Sequence, residues 1–250
     1  MESRTSAKSA QLFLQGINNL LWPATCALCG ETISQTDNNF CSKCWQNLLG
    51  CTGGDYCRRC GHEVSKYALV DNACPECIGK EIYFDRIARA GIYQDAIRAL
   101  ILGFKNGRTE LFQILTRLTD AALAGSGFGD DIELLVPVPL HWRRKLMRGY
   151  NQSQIIAARL APLPAPVSTE LVRMRATKPQ SSMVSASKRA DNVAGAFAVR
   201  RGHNFAGRAI CLLDDIKTSG ATLNECARTL KQAGARKVYA LVVSVAGQKT

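Results

Sequence analysis

Ala209-Ile-Cys-Leu-Leu-Asp-Asp-Ile-Lys-Thr-Ser-Gly-Ala-Thr222 is the stretch that decides the reading of this chain. Residues 210–213 are wholly apolar, the pattern of a strand buried on both faces. Asp214 and Asp215 follow at once, then a short polar run, then a helical pattern that ends at Gly234. That order predicts strand, tight loop, helix. In an open α/β sheet, ligands sit beyond the carboxyl ends of strands. A loop that opens a helix there aims backbone N–H groups outward and suits an anion. Thr218, Ser219 and Thr222 add hydroxyl donors, and Gly220 permits a turn that other residues resist. The two carboxylates repel a bare phosphate but accept hydrogen bonds from sugar hydroxyls. The composite ligand is therefore a sugar phosphate, with ribose on Asp214 and Asp215 and phosphate in residues 218–222.

Residues 210–222 resemble, at every position, the phosphoribosyl-pyrophosphate (PRPP) motif of type I phosphoribosyltransferases: four apolar residues, two acids, an apolar residue, any residue, two Thr/Ser, Gly, any residue, Thr. The resemblance implies an α/β, Rossmann-like phosphoribosyltransferase fold. It implies catalytic roles for Asp214 and Asp215. Lys217, Thr218, Ser219, Gly220, Ala221 and Thr222 join them in binding PRPP, with Mg²⁺ accompanying the ligand.

Working outward, the 250 residues carry 32 basic and 20 acidic side chains, a net +12 that favours a polyanionic partner without naming it. Eleven cysteines are present, nine of them from Cys26 to Cys77. No secretory signal fits and no stretch approaches a membrane span, so a cytoplasmic location is expected, where paired cysteines are metal ligands before they are disulfides. Four C-x-x-C pairs stand at Cys26/Cys29, Cys41/Cys44, Cys57/Cys60 and Cys74/Cys77. Two pairs complete one tetrahedral thiolate site, so two structural Zn²⁺ ions are expected. The simplest pairing is sequential, with Cys26, Cys29, Cys41 and Cys44 on one zinc and Cys57, Cys60, Cys74 and Cys77 on the other; an interleaved cross-brace is the alternative. Metal would supply folding energy that so small a module cannot gain from its core, and would lower the net charge to about +8. Cys51 is left over.

Three domains are expected: a tail and short helix over 1–22, a double zinc ribbon over 23–80, and an α/β domain over 81–250. In the last, residues 84–93 predict a strand and 94–104 a helix with Ile97, Leu100, Ile101 and Phe104 on one face. Thr109 is placed to cap the next helix, to about Ala124. Glu133-Leu-Leu-Val-Pro-Val-Pro-Leu140 predicts a buried strand that stops near Val136 or Pro137, because proline cannot serve a central ladder. The run from His141 to Ser153 reads as a basic loop, with Asn151 or Ser153 opening a helix through Leu160. Residues 167–172 read as a strand and 173–183 as a mobile basic loop. A short helix over 187–192 and strands over 196–199 and 237–245 complete the domain.

The ribbon cysteines, Val136-Pro-Val-Pro-Leu140, Arg148-Gly-Tyr-Asn-Gln152, Gln180, Arg189, Asn192-Val-Ala-Gly-Ala-Phe197 and the PRPP motif together are very similar to the ComF family of competence protein F or GntX-like proteins. Tyr150 stands where that family usually has Phe, and Lys217 where an apolar residue is common. The resemblance implies a pyrophosphate loop at Val138, Pro139, Arg143, Arg144 and Arg148, and a flexible loop at Lys178, Gln180 and Ser181. It implies a role in natural transformation on incoming single-stranded DNA. The implied activity is pentosyl transfer from PRPP. The alternative is a binding module without chemistry, in which Trp142 and nearby cations track single-stranded DNA and the ribbons dock a helicase-like competence protein.

Overall fold

The computed structural model describes residues 23–34, 39–69, 73–160, 165–176, 186–203 and 205–247. The expected helix near the N-terminus and the loop carrying Lys178, Gln180 and Ser181 lie outside them. Contacts divide the chain between Gly50 and Cys51 into two units.

The first unit holds a zinc knuckle and most of helix α1 (Ser42–Cys51). At the knuckle the Gly30 N–H returns to the Cys26 carbonyl at 2.9 Å, and Thr25 bridges Thr32. The second unit opens with the same device. Gly61 N–H donates to the Cys57 carbonyl at 2.7 Å, and Tyr56 bridges Glu63. Gly30 and Gly61 both have φ near +75 to +79°, a left-handed conformation that costs glycine least. The sequence boundary drawn at residue 80 thus differs from the division by contacts, which puts the second ribbon in one unit with the sheet.

That sheet has four parallel strands in the order β1 (Arg86–Ile92), β6 (Lys237–Val245), β5 (Ala209–Lys217), β2 (Leu134–Pro137). Helices α2 (Asp95–Lys105) and α3 (Phe112–Ala124) follow β1, and α3 packs on β1 and β6. Helices α4 (Trp142–Arg148) and α5 (Gln152–Ala157) follow β2. Strands β3 (Leu171–Arg173) and β4 (Phe197–Val199) make a small antiparallel pair, with α6 (Ala186–Val193) between them in the chain. Helix α7 (Ala221–Gln232) joins β5 to β6 and packs on both, on β4 and on α6. Parallel strands buried on both faces need unbroken apolar runs. Residues 209–213 and 238–243 provide them, and all are under 2 % exposed except Tyr239 at 2 %.

Four expectations need correction. Strand β5 runs through Lys217, because Asp214 and Ile216 pair with Val242 and Ser244 of β6; both acids therefore ride on a strand. The basic run after β2 is the helix α4 rather than a loop, started by His141, whose Nδ1 accepts the Arg143 N–H at 3.3 Å. Thr109 does not cap α3; it begins a 3₁₀ turn, Thr109–Leu111, that leads into it. Residues 167–172 divide: Val167 bridges Leu135 in parallel, and β3 turns away to pair with β4.

The connections set the position of the site. From β2 the chain moves outward to the Val167 bridge, and from β5 it returns the other way to β6. The carboxyl ends of β2 and β5 thus flank a topological switch point, the crevice where open α/β sheets bind ligands.

Candidate functional site

At that crevice each acid has a cation or hydroxyl partner. Ser153 Oγ donates to Asp214 Oδ1 at 3.2 Å, and the Asp215 N–H donates to the same oxygen at 2.9 Å. Lys105 Nζ, from the last residue of α2, lies 2.5 Å from Asp215 Oδ2. Burial, then the neighbouring Asp215 carboxylate, push Asp214 up to about 7.

The residues between Arg148 and Ser153 hold this arrangement. Asn151 caps α5 by accepting the Ser153 N–H at 3.1 Å, and its Nδ2 donates to the Val138 carbonyl at 3.1 Å. It therefore locks the start of α5 to the chain leaving β2. Tyr150 donates its hydroxyl to the Phe104 carbonyl, one residue before Lys105. Val138 N–H donates to the Leu213 carbonyl at 2.8 Å, which carries the β2–β5 pairing up to the acids.

Beyond β5 the turn is three residues, Thr218, Ser219 and Gly220, before α7 begins with Ala221 and Thr222. Gly220 has φ +82°, and a Cβ there would lie 2.9 Å from Lys217 Cε, so the lysine stem runs directly against the turn. Lys217 is only 4 % exposed and its amine is held down by burial. A cavity of about 270 Å³ opens on this turn, lined by Lys217, Ser219, Gly220, Ala221, Asn224 and the ribbon's Cys60 among others. A second, of about 350 Å³, lies at the end of β2 against Pro139, Trp142, Lys145, Asn151, Arg173 and Arg200. Asp214 and Asp215 line neither.

The expected pyrophosphate residues separate. Val138 is in the core and Pro139 faces the second cavity. Arg143 is exposed with its guanidinium 5.2 Å from the Trp142 ring centroid, and Arg148 donates to Gln152 Oε1 at 3.4 Å. Arg144 is partly buried, which lowers it along with the Arg148 charge. Trp142 is 61 % exposed, so it is not a core residue; Leu146 and Met147 on the same helix are more exposed still.

The cysteines gather as Cys26, Cys29, Cys41, Cys44 and as Cys57, Cys60, Cys74, Cys77, with all sulfurs of a set within 4.8 Å of one another. This is the sequential pairing. Cys29–Cys41 and Cys57–Cys77 sulfurs are 3.7 Å apart, close to the roughly 3.8 Å edge of a tetrahedron with zinc–sulfur bonds of about 2.3 Å. The donor sets fit structural Zn²⁺, with four thiolates and no open position. The first set is partly exposed and the second wholly buried.

Lys105 and Ser153 escaped sequence reasoning as site residues. Their partners stand 110 and 61 positions away in the chain, and no local pattern marks them. The one available signal was their place: Lys105 ends a helix, Ser153 begins one, and both follow strands of the same sheet.

A parallel α/β unit with a Cys₄ ribbon, and a second Cys₄ ribbon before it, is the class of protein defined by these features. A family model described as a double zinc ribbon domain matches residues 17–78. Over 220 residues the chain is 30 % identical to competence protein F of Haemophilus influenzae, covering 85 % of this chain and 93 % of that one. It is 29 % identical over 222 residues to the DNA utilization protein YhgH of Escherichia coli K12, covering 86 % and 94 %. It is 27 % identical over 241 residues to competence protein ComFC of Bacillus subtilis, covering 88 % and 92 %. The chain belongs to the ComF family, with the double zinc ribbon at its N-terminal end. Among solved structures, a glutamine PRPP amidotransferase of B. subtilis shares 16 % identity at a TM-score of 0.34, over 52 % of this chain and 26 % of that one, a likeness too slight to argue from. Among the described residues no helix is long and apolar enough to cross a membrane.

Proposed function

We propose that this chain binds PRPP with Mg²⁺ at the crook between β5 and α7, and that it serves the cytoplasmic handling of incoming single-stranded DNA in natural competence. The observation that carries the reading is the pair of adjacent carboxylates at the switch point, each held by a side chain from another helix, directly before a short turn and a helix start. Asp214 and Asp215 would accept the ribose hydroxyls. Thr218, Ser219, Gly220, Ala221 and Thr222 would receive the 5′-phosphate through hydroxyl and N–H donors, in charge-assisted bonds of about 1.5–3 kcal/mol each. Lys217 supports that turn from beneath. Mg²⁺, when bound with the ligand, neutralises pyrophosphate charge and keeps several waters. Val138, Pro139, Arg143, Arg144 and Arg148 stand for the pyrophosphate side, and Lys178, Gln180 and Ser181 for a closing loop. The names of the relatives, two competence proteins and a DNA utilization protein, support the cellular setting.

Calorimetry with PRPP in Mg²⁺ tests the reading. Asp215→Asn should weaken binding at least tenfold; equal affinity for the variant and the unaltered chain would remove the ribose contact on which the reading depends. Release of pyrophosphate with a panel of nucleobases separates pentosyl transfer from binding alone, because transfer breaks the C1–pyrophosphate bond and binding does not.

A second reading is favoured by Trp142, which is 61 % exposed beside the exposed Arg143 and Lys145. An aromatic platform with adjacent cations fits single-stranded nucleic acid. Trp142→Ala should weaken a single-strand gel shift at fixed salt, and competition by PRPP would place both ligands at one site. Docking of a helicase-like partner on the ribbons is tested by capture of that partner with the full-length chain carrying Trp45→Ala and Tyr67→Ala, two exposed ribbon residues.

A further inference from the structure

The second cysteine set lies beside two buried cations whose charges no carboxylate pairs among the described residues. Lys217 and Arg89 are each 4 % exposed, and neither makes an ion pair with a carboxylate among the described residues. Arg89 Nε and one terminal nitrogen have no hydrogen-bond partner, and its guanidinium carbon lies 4.9 Å from the ring centroid of Tyr56, the residue before Cys57. Lys217 lines the ribbon-side cavity with Cys60, His62 and Lys80. The carboxylates at that cavity are Glu76, which pairs with Lys80 at 3.1 Å, and the exposed Glu81. Glu63, the carboxylate nearest in charge to Arg89, is exposed.

A buried cation without a counter-charge is strongly disfavoured, and two within one unit more so. Four thiolates around Zn²⁺ carry a net charge of about −2. The second set is buried and needs that charge offset; the first set is partly exposed to water and does not. We propose that Lys217 and Arg89 are the counter-ions of the Cys57, Cys60, Cys74 and Cys77 site, so that metal loading of this site, and not of the first, fixes the Thr218–Ser219–Gly220 turn. The coupling is mechanical as well as electrostatic. Lys217 ends β5, its stem presses on Gly220, and the Gly61 knuckle sits where a Cβ would meet Val245 Cγ2 at 3.0 Å. The step from the turn to ligand affinity rests on the PRPP reading. Metal retention does not, so the two ideas fail separately.

The test is zinc release from the full-length, zinc-loaded chain into excess chelator, followed with a chromogenic zinc indicator. Two phases are expected, and Cys29→Ser should abolish the fast one alone. Lys217→Met and Arg89→Met should each speed the slow phase at least tenfold and leave the fast phase unchanged. Arg89→Lys, which keeps the charge, should stay within threefold of the unaltered chain. An unchanged slow phase in both methionine variants overturns the proposal. So does an equal acceleration of both phases, or a tenfold acceleration in Arg89→Lys. If metal retention behaves as expected while PRPP never binds, the counter-ion assignment stands and the ligand reading falls.

Discussion

Replacing Lys105 by methionine keeps the unbranched stem of the side chain and removes its charge. The ammonium lies 2.5 Å from Asp215, and the two side chains are 19 % and 15 % exposed. At an effective dielectric of about 20, unit charges 4 Å apart attract by about 4 kcal/mol. Withdrawing both groups from water offsets much of that attraction. Removing one partner leaves the other charge poorly solvated, which in fully buried pairs costs about 3–5 kcal/mol. Both groups keep some water here, so Lys105→Met should destabilise the chain by about 2–3 kcal/mol. Asp215→Asn alone should cost less, since an amide tolerates the site better than a bare carboxylate. The double variant should recover part of the loss, for a coupling of about 1.5 kcal/mol. Urea titration of the four chains, followed by circular dichroism, measures the cycle, with an unchanged slope licensing the comparison. A coupling below about 0.5 kcal/mol would mean that Lys105 does not hold Asp215, and the description of the crevice as a braced pair of acids would be wrong.

Asp214, raised to about 7 from the ordinary carboxylic-acid value of 3.8, makes stability depend on pH. Its protonated form is favoured on folding, so its contribution is full below about pH 4 and is lost as pH rises through about 7. Asp214→Asn should therefore come nearest the unaltered chain at pH 4 and exceed its urea midpoint at pH 8; the same midpoint difference at both pH values would count against the raised carboxyl. Gly91→Ala should cost about 3 kcal/mol or more, since the new methyl would fall 2.2 Å from the Cys51 carbonyl oxygen and 2.5 Å from Ile97 Cδ1. A thermal melt reads the result. Tyr150→Phe removes one hydrogen bond, to the Phe104 carbonyl, and should cost about 1 kcal/mol while leaving the fold intact.

Legibility in the sequence followed the range of the interaction. The apolar run 210–213 and the turn after it are local, so strand, turn and helix were readable, as was the stop of β2 at Pro137. Spacing alone also found the eight ribbon cysteines and favoured their sequential pairing, and the fold decides it against the cross-brace. Helix α4 was hidden because Trp142-Arg-Arg-Lys-Leu-Met-Arg148 buries none of its residues and so shows no periodic apolar face. The extension of β5 through the two acids was hidden because backbone pairing with β6, not side-chain type, carries it. Lys105 belongs to a third class, in which nothing but the fold brings a helix end to a strand end.

The second ribbon also has a bearing on where this chain can be cut. Ile87 N–H donates to the Arg58 carbonyl at 2.8 Å and Thr52 bridges Gly91, so residues of the ribbon segment lie along the outer border of β1. A fragment starting at residue 81, the boundary that the cysteine spacing invites, would uncover that border and leave its amides seeking partners in other molecules. Such a fragment would be prone to self-assembly rather than a minimal soluble core. One that begins at residue 51 keeps the border sealed, which makes the ribbon, by its backbone alone, a guard against aggregation.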